Sequence, residues 1–429
     1  MAKEGRMWWR RVGKSHVFFV LALPLLFLFV ACSNVANMQT YSDPSGSITT
    51  LSSSGSIDTP AAFFQPNSST GKTCVMCHQP SDDWAMSAQH IRQRFNNDSN
   101  HDPLFHTIDG ATCPTDDIST TSGRLEAYSL LLSKGLIRIP LTVQPDAEFE
   151  VVGIDDPYGC STATTLLAYR RPPSVANMRF DTSVQPPATL PGLFSLPLAT
   201  FMLSLTTAQS TSSQAGALDS DGGQGGPVYL SNQPFTYGTN DPLDAANFNP
   251  NVFNLYESWA NLAWNQPAAR TLAQQSIARG EAIFNTRTIA IQGVAGLNDV
   301  AGLPVISGSC STCHNNPSVG NHSYFAPMDT GVSDGSLRTP DLPLFTLQNK
   351  STGEMIETSD PGRGTATGKW ADIGKFNVPP LRGLAARAPY FLNGSAASLM
   401  DVVNFYDQRF AMGLSIQDKQ DLVAFLNAL

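Results

Sequence analysis

The chain has 429 residues, of which only 14% are charged, and its formal net charge is −9. No basic run follows the first few residues, so nucleic acid is not an expected partner. The length is sufficient for two or three domains. The 33 glycines and 30 prolines predict long connections between short elements.

Residues 1–31 have the layout of a secretory signal. A basic stretch is followed by an apolar run over 17–31, which is too short to span a membrane comfortably. The run ends in "FVAC", which resembles the lipobox of bacterial lipoproteins and would make Cys32 the lipidated first residue. Ordinary cleavage nearby is the alternative. We therefore expect an exported protein, anchored by lipid at Cys32 in the bacterial periplasm or at the outer membrane surface.

Two further stretches have a low-complexity composition. Residues 32–72 are rich in Ser, Thr, Pro and Gly, which is typical of a flexible tether. Residues 206–227 have a similar composition and are expected to form a surface loop.

The sequence Cys-x-x-Cys-His occurs twice. In this pattern two thiols can add across the vinyl groups of one haem, and the histidine is then placed to bind the iron. The two copies are Cys74, Cys77 and His78, and Cys310, Cys313 and His314. They predict two covalently bound haem c groups, with His78 and His314 as iron ligands.

Two other interpretations of the motif compete with haem attachment. A thioredoxin-like dithiol needs a βαβ context, and the residues around both motifs do not show one. A structural zinc site would have to bring four ligands together from both motifs.

Cys113 and Cys160 remain after the haem and lipid assignments. In an exported chain a disulfide between them is favoured, since a leftover thiol is a liability in an oxidising compartment. Two separate buried thiols are the alternative.

The periodic segments are mostly helical. Ser87 is an expected N-cap for a helix through Phe95, and 267–285 predicts a helix with proline in its first turn. Residues 401–410 and 415–429 predict two more helices, the last with Ser415 and Asp418 as a variant capping box. "GLIRIPLTV", 135–143, could form one short strand. The expected fold class is therefore mainly α.

The C-terminal part resembles the bacterial di-haem cytochrome c peroxidase family, including its MauG-like branch. The resemblance is carried by "IARGEAIFNTR", "CSTCHNNPSVGNHS", "GKWADIGKFNVPPLRGLAARAPYFLNGSAASLMDVVNFYDQRF" and the last helix. It implies two tandem cytochrome c-like haem domains with long loops, over 73–265 and 266–429. It also implies calcium as a candidate further cofactor.

The resemblance assigns roles to two residues of the second domain. Arg382, in "PPLRG", matches an arginine expected near a haem propionate. Tyr406 matches the sixth iron ligand, which is usually methionine in the peroxidases and tyrosine in the MauG-like branch. The alternative sixth ligands are Met400, Met412, His322 and Met328.

The sequence departs from the family after Phe180. Many members continue there to "W-D-G-R", whereas this chain has Asp181, Thr182 and Ser183. From 181 to 256 it contains no Trp, Glu, His, Lys or Arg. The distal acid–base residues of the peroxidases therefore cannot come from this stretch. "PYFLNG" also places Leu392 where a histidine often stands.

Peroxide cleavage needs a side chain that moves a proton and lies within hydrogen-bond reach. His90 is the first candidate for this catalytic role on the distal side of the N-terminal haem. A surface histidine without a role is the alternative. His101 and His106 fit loop positions better, and Glu126 is the nearest carboxylate in sequence.

The expected function is reduction of hydrogen peroxide with electrons from a small redox protein, at the N-terminal haem. One alternative is a non-enzymatic electron-transfer lipoprotein with two six-coordinate irons, which the missing W-D-G-R element favours. Another is a MauG-like oxidase acting on a partner protein, which Tyr406 favours.

Overall fold

The structure is a computed structural model that describes residues 37–57, 61–66, 71–98, 100–181, 195–236, 238, 240–242, 248–263 and 267–429. The signal segment, Cys32 and the first part of the tether lie outside these residues. In the described part, no helix combines the length and the apolar character that a membrane crossing requires.

Helices and strands are interspersed along the described chain. The helices are α1 (Ala88–Asp98), α2 (Thr121–Ala127), α3 (Ser129–Lys134), α4 (Leu196–Ser204), α5 (Gly226–Ser231), α6 (Ala268–Thr286), α7 (Asn298–Ala301), α8 (Cys310–Cys313), α9 (Gly364–Thr367), α10 (Leu399–Arg409) and α11 (Ile416–Leu426). The strands are β1 (Met38–Asp43), β2 (Gly46–Ser52), β3 (Ile137–Thr142), β4 (Phe149–Asp155), β5 (Thr165–Arg170), β6 (Leu205–Ser212), β7 (Gly216–Ala217), β8 (Ile289–Gln292), β9 (Val305–Gly308), β10 (Leu344–Asn349) and β11 (Met355–Thr358).

The prediction of a mainly α fold is wrong. The structure is 33% helical and 19% strand, and the strands form several sheets. The predicted helices are present, and the short strand expected within 135–143 is β3. The other strands were missed because many of them are short or rich in Ser and Thr, so that they lack the apolar–polar alternation of a half-buried strand.

The segment expected to be a tether is folded over 38–52. There β1 and β2 form an antiparallel sheet with β6 and β7, in the order β1-β2-β6-β7. Its interior hydroxyls pair across the strands, with 2.8 Å between Thr50 Oγ1 and Thr207 Oγ1 and 3.1 Å between Ser52 Oγ and Ser204 Oγ. Buried hydroxyls that find partners in this way do not oppose folding, so the composition misled the prediction.

The stretch 206–227 is not a surface loop either. It supplies β6, β7 and the start of α5, and its glycines are needed for close packing. A Cβ atom at Gly223 would lie 2.6 Å from the Trp259 ring, and one at Gly225 would lie 2.6 Å from the Tyr256 hydroxyl. Trp259 and Tyr256 are fully buried, so this glycine-rich run covers the core of the C-terminal half.

The two halves of the chain share a sheet. Strand β4 from the first half pairs antiparallel with β10 from the second, in the order β11-β10-β4. An ion pair also joins the halves, with 2.6 Å between Arg170 Nε and Asp360 Oδ2. The halves are therefore interlocked, and the domain boundary between 265 and 266 stays a prediction.

The C-terminal half packs around α6, α10 and α11. Gly280 of α6 lies against α11, where a Cβ atom would come within 2.0 Å of the Asp421 carbonyl oxygen. Ser415 and Asp418 form the predicted capping box of α11, and Ser398 and Asp401 form another at α10. This crossing brings Phe284 and Phe425 into the core beside the second haem motif.

Gly280→Ala is expected to destabilise the protein by about 1–3 kcal/mol, the usual cost of overpacking a core. The added methyl group has to push α6 and α11 apart. Urea unfolding of the holoprotein measures the effect. Ala282→Ser adds one heavy atom at an exposed position of the same helix and should change the free energy of unfolding by less than about 0.5 kcal/mol. Equal midpoints for the two variants would contradict this account of the crossing.

Candidate haem sites

The first Cys-x-x-Cys-His motif lies on a tight turn. Cys74–Met76 form a 3₁₀ turn that leads to His78. The Nδ1 atom of His78 lies 3.0 Å from the backbone oxygen of Trp84. A carbonyl oxygen can only accept, so Nδ1 donates, and Nε2 is left with the lone pair that binds iron.

Trp84 ties this turn to the N-terminal sheet. Its side chain is fully buried, and its Nε1 donates to Thr50 Oγ1 of β2 over 2.9 Å. The ring of Phe63 packs edge-on against both Trp84 and His78, with centroids 5.4 and 6.4 Å away. The supposed tether therefore holds the first haem motif in place.

The second motif is built in the same way. Cys310–Cys313 form the short helix α8, and the backbone nitrogen of Ser309 donates to Thr312 Oγ1 at its start. His314 follows, and its Nδ1 donates to the backbone oxygen of Gly320 over 2.5 Å. Burial lowers the pKa of His314 to about 4, so the imidazole is neutral at pH 7, as an iron ligand must be.

The two motifs share one geometric rule. In each, the carbonyl that accepts from the histidine belongs to the sixth residue after it. Both accepting residues lie in the left-handed region, with φ of 55° at Trp84 and 72° at Gly320. Glycine adopts this conformation freely, whereas tryptophan does so at a cost. Asp83, just before Trp84, is also left-handed, with φ of 56°. Such backbone strain tends to be stored at functional sites.

The four motif cysteines fit thioether formation better than the competing interpretations. None of the four forms a disulfide. Burial raises the pKa of Cys310 and of Cys313 to about 12, and that of Cys77 to about 11. A reactive dithiol needs a lowered thiol pKa. Within the described ranges, no cluster of three or more His, Cys, Asp or Glu side chains could hold a metal ion. Zinc therefore lacks a ligand set there, and the candidate calcium has no located site.

Cys113 and Cys160 form a disulfide, with their Cα atoms 5.9 Å apart. It joins the loop before α2 to the loop before β5. Tyr158 and Tyr169 pack beside it, with ring centroids 5.6 Å apart.

Tyr406 lies on α10 close to the second cysteine pair. Burial raises the pKa of its phenol to about 12, a hydrogen bond with Thr330 opposes this shift, and Cys313 and Cys310 add to it. Its ring is stacked on Phe410 with centroids 6.1 Å apart, and Phe391 and Phe405 meet it edge-on. The hydroxyl thus lies in the region where the C-terminal haem would bind.

The alternative sixth ligands occupy different surroundings. Met412 and Met328 are both buried in the C-terminal core, while Met400 is half-buried. His322 is 2% exposed, and its ring meets that of Tyr324 edge-on at 4.6 Å. Burial lowers the pKa of His322 to about 4, and nearby His314 adds to this shift. His322 thus lies close to His314, in the same loop as this proximal histidine.

Arg382 is a buried cation beside the second haem loop. It is 1% exposed, its Nε donates to the Ser318 backbone oxygen over 2.9 Å, and its guanidinium lies over the Phe253 ring. Burial lowers its pKa to about 10, which Glu281 partly opposes. A second anion, such as a haem propionate, would stabilise this charge.

The candidate distal residues have different partners near the first motif. His90 of α1 is about one-third exposed, with its Nδ1 3.4 Å from Asp82 Oδ2 in the loop that follows His78. His106 pairs with Asp109 over 3.0 Å, and the Asp109 charge is close enough to add to the raised pKa of Cys77. His101 and Glu126 are exposed. The distal role of His90 stays a prediction.

Several residues that join the sites were missed in the sequence. The backbone oxygen of buried Phe180 accepts from Asn316 Nδ2 at 3.2 Å and Asn321 Nδ2 at 3.3 Å, both in the second haem loop. Asp83 and Arg387 lie where the halves meet. The one sequence signal for the contact between Asp83 and Arg387 is Trp84, a large apolar side chain directly after Asp83 and six residues after His78. Residues 182–194, where the missing W-D-G-R element would continue, lie outside the described residues.

Comparison with known proteins places the chain near one group of enzymes. The cytochrome-c peroxidase IdrP1 of Pseudomonas sp. (strain SCT) is 32% identical over 158 residues, covering 32% of this chain and 39% of that protein. The cytochrome-c peroxidase IdrP2 of Denitromonas iodatirespirans is 35% identical over 135 residues, covering 28% and 36%. The cytochrome c551 peroxidase of Pseudomonas aeruginosa is 30% identical over 121 residues, covering 28% and 30%.

No family model matches the chain, and no solved structure gives a significant match. The chain spans well under half the length of the three relatives described above. Their names nevertheless confirm the resemblance read from the motifs, and the chain is a divergent relative of the cytochrome-c peroxidases.

Replacing Cys74 and Cys77 together by Ala is expected to leave one covalent haem per chain, compared with two in the wild type. The variant removes both thioether bonds of the first site and leaves Cys310 and Cys313 intact. A pyridine haemochrome assay on denatured protein counts the haems. Cys113→Ala with Cys160→Ala is the matched control and should keep two. Two haems in the Cys74/Cys77 variant would contradict the assignment.

Tyr406→Phe is expected to raise the midpoint potential of the C-terminal haem and change its ferric EPR signal. A phenolate oxygen stabilises ferric iron, so its removal favours the reduced state, while the retained ring preserves packing. Tyr390→Phe is the control, since the Tyr390 hydroxyl is also buried but donates to the Leu384 backbone oxygen. An unchanged potential and spectrum in Tyr406→Phe would show that Tyr406 is a packing residue.

Proposed function

We propose that the protein is a di-haem c-type oxidoreductase that reduces hydrogen peroxide with electrons from a small redox protein. The observation that carries this proposal is the pair of Cys-x-x-Cys-His turns, each holding its histidine by an Nδ1–carbonyl hydrogen bond. The relationship to cytochrome-c peroxidases supports the choice of substrate.

The reaction converts H₂O₂, two protons and two electrons into two molecules of water. The haem irons would supply exchangeable electrons and a coordination position for peroxide. The chain supplies the rest. His78 and His314 anchor the two sites, Arg382 offers a buried positive charge, and a side chain near the first site must carry a proton between the peroxide oxygens.

We place peroxide at the N-terminal site. Support comes from Tyr406, which offers the C-terminal haem a candidate sixth ligand beside Cys310 and Cys313. The N-terminal site has His90 and His106 nearby as candidates for proton transfer, through Asp82 and Asp109 respectively.

A MauG-like oxidase that acts on a partner protein is the second candidate function. The position of the Tyr406 phenol favours it, because a phenolate ligand eases access to higher oxidation states of iron. Peroxide-dependent oxidation of a protein in the absence of an electron donor would distinguish it from a peroxidase.

We also propose that the chain is exported and anchored to a membrane by lipid at Cys32. The disulfide between Cys113 and Cys160 supports an oxidising compartment. The lipid anchor rests on the sequence alone. If the proposal is right, Cys32→Ser moves the protein from the membrane fraction to the soluble periplasmic fraction.

Peroxide turnover by the purified holoprotein with a reduced small cytochrome c tests the peroxidase proposal. His90→Ala is expected to lower kcat by about 100-fold or more, the usual contribution of a general acid–base group. His106→Ala is the matched control and should retain turnover. The reverse pattern would move the catalytic role to His106. No peroxide turnover by a wild-type protein that accepts and returns electrons reversibly would instead show an electron-transfer protein.

A further inference from the structure

A buried carboxylate lies where the two halves of the protein meet. Asp83 is 1% exposed and immediately precedes Trp84, whose carbonyl holds His78. The Asp83 Oδ2 atom is 3.5 Å from Nε of Arg387 in the C-terminal half. Its Oδ1 atom is buried and has no hydrogen-bond partner among the described residues. The ion pair with Arg387 therefore engages one carboxylate oxygen and leaves Oδ1 without a direct hydrogen bond.

The same carboxylate contacts the segment that supports the second site. A Cβ atom at Gly383 would lie 2.4 Å from Asp83 Cγ, so the two segments touch here. The neighbouring Arg382 donates to the Ser318 backbone oxygen, and the Leu381 backbone nitrogen donates to Val319 over 2.7 Å. Ser318 and Val319 lie just before Gly320, whose carbonyl oxygen accepts the hydrogen bond from His314. Asp83 is thus next to the proximal turn of one haem and in contact with the supports of the other.

The charges around Asp83 are nearly balanced. Burial raises its pKa to about 7, Arg387 and the Ser174 hydroxyl, which also donates to the Asp83 backbone oxygen, oppose this shift, and the neighbouring Asp82 adds to it. Behind Arg387, Arg171 donates through Nη2 to the Arg387 backbone oxygen over 2.5 Å, and Tyr390 faces both guanidiniums. At neutral pH the ionised and protonated forms of Asp83 therefore have similar free energies, so a nearby change in charge can shift the balance.

We propose that Asp83 is the proton acceptor coupled to reduction of the haem at His78. One electron from an external donor reduces ferric to ferrous iron and oxidises the donor. One proton moves from solvent to Oδ1 of Asp83, so the net charge of the buried region is unchanged. The reason is electrostatic, because added negative charge in a poorly screened interior favours the neutral form of a nearby carboxyl group. The proposal rests on the haem assignment but not on peroxidase activity.

Spectroelectrochemical titration of both haems between pH 5.5 and 9 tests the proposal. In the wild type, the midpoint potential of the N-terminal haem should fall as the pH rises above about 7, by up to about 59 mV per tenfold change in proton activity. Below this pH the potential should be nearly constant, because Asp83 is already protonated. Asp83→Asn, which cannot titrate, should abolish this slope.

Asp360→Asn is the matched control. Asp360 is also buried, and it also joins the halves through its pair with Arg170, but it does not adjoin a haem turn. It should keep the wild-type slope. A slope in Asp83→Asn equal to that of the wild type would overturn the proposal, because the proton would then bind another group such as a haem propionate. A wild-type potential that does not depend on pH would also overturn it.

Infrared difference spectra of the wild type keep the proposal testable if Asp83→Asn fails to bind haem. Reduction at pH 8 should produce a new C=O band from a protonated carboxyl group. Its absence would overturn the proposal. Neither measurement involves peroxide. The pH dependence of the midpoint potential can therefore fail or hold whether or not the protein turns over peroxide.

Discussion

The hydrogen bond from a proximal histidine to a backbone carbonyl is the interaction on which both sites depend. It fixes the tautomer of the imidazole and leaves Nε2 free to bind iron. His78 and His314 achieve this with the same spacing, through a turn that ends in a left-handed residue. The turn explains why a five-residue motif can be used twice in one chain. The rest of each site has to hold that turn in place.

The two turns are held in different ways. The second ends at Gly320, which is left-handed without strain, and rests on the C-terminal helical core through Phe284. The first ends at Trp84, whose strained backbone is held by full burial of the ring and by a hydrogen bond to Thr50. The N-terminal sheet is therefore part of the proposed first haem site. Its Ser- and Thr-rich strands bury their hydroxyls in pairs and provide the rigid support that an unusual backbone conformation requires.

Local features were predicted well from the sequence, and distant contacts were not. The motif spacings, the helix from Ala88 and the capping box at Ser415 depend on a few neighbouring residues. The pairing of β2 with β6, and of β4 with β10, joins segments far apart in the chain. Thr50 and Thr207 therefore look like linker residues until the fold brings them together. Asp83 and Arg387 likewise show nothing unusual in sequence, because their significance comes from shared burial.

We propose that two haems are held by two equivalent turns. Tandem mass spectrometry of proteolysed, purified holoprotein tests it most directly. We expect one haem-bearing peptide that contains Cys74, Cys77 and His78, and a second that contains Cys310, Cys313 and His314. Recovery of either cysteine pair as unmodified, alkylatable thiols from fully loaded protein would show that this pair does not bind haem covalently.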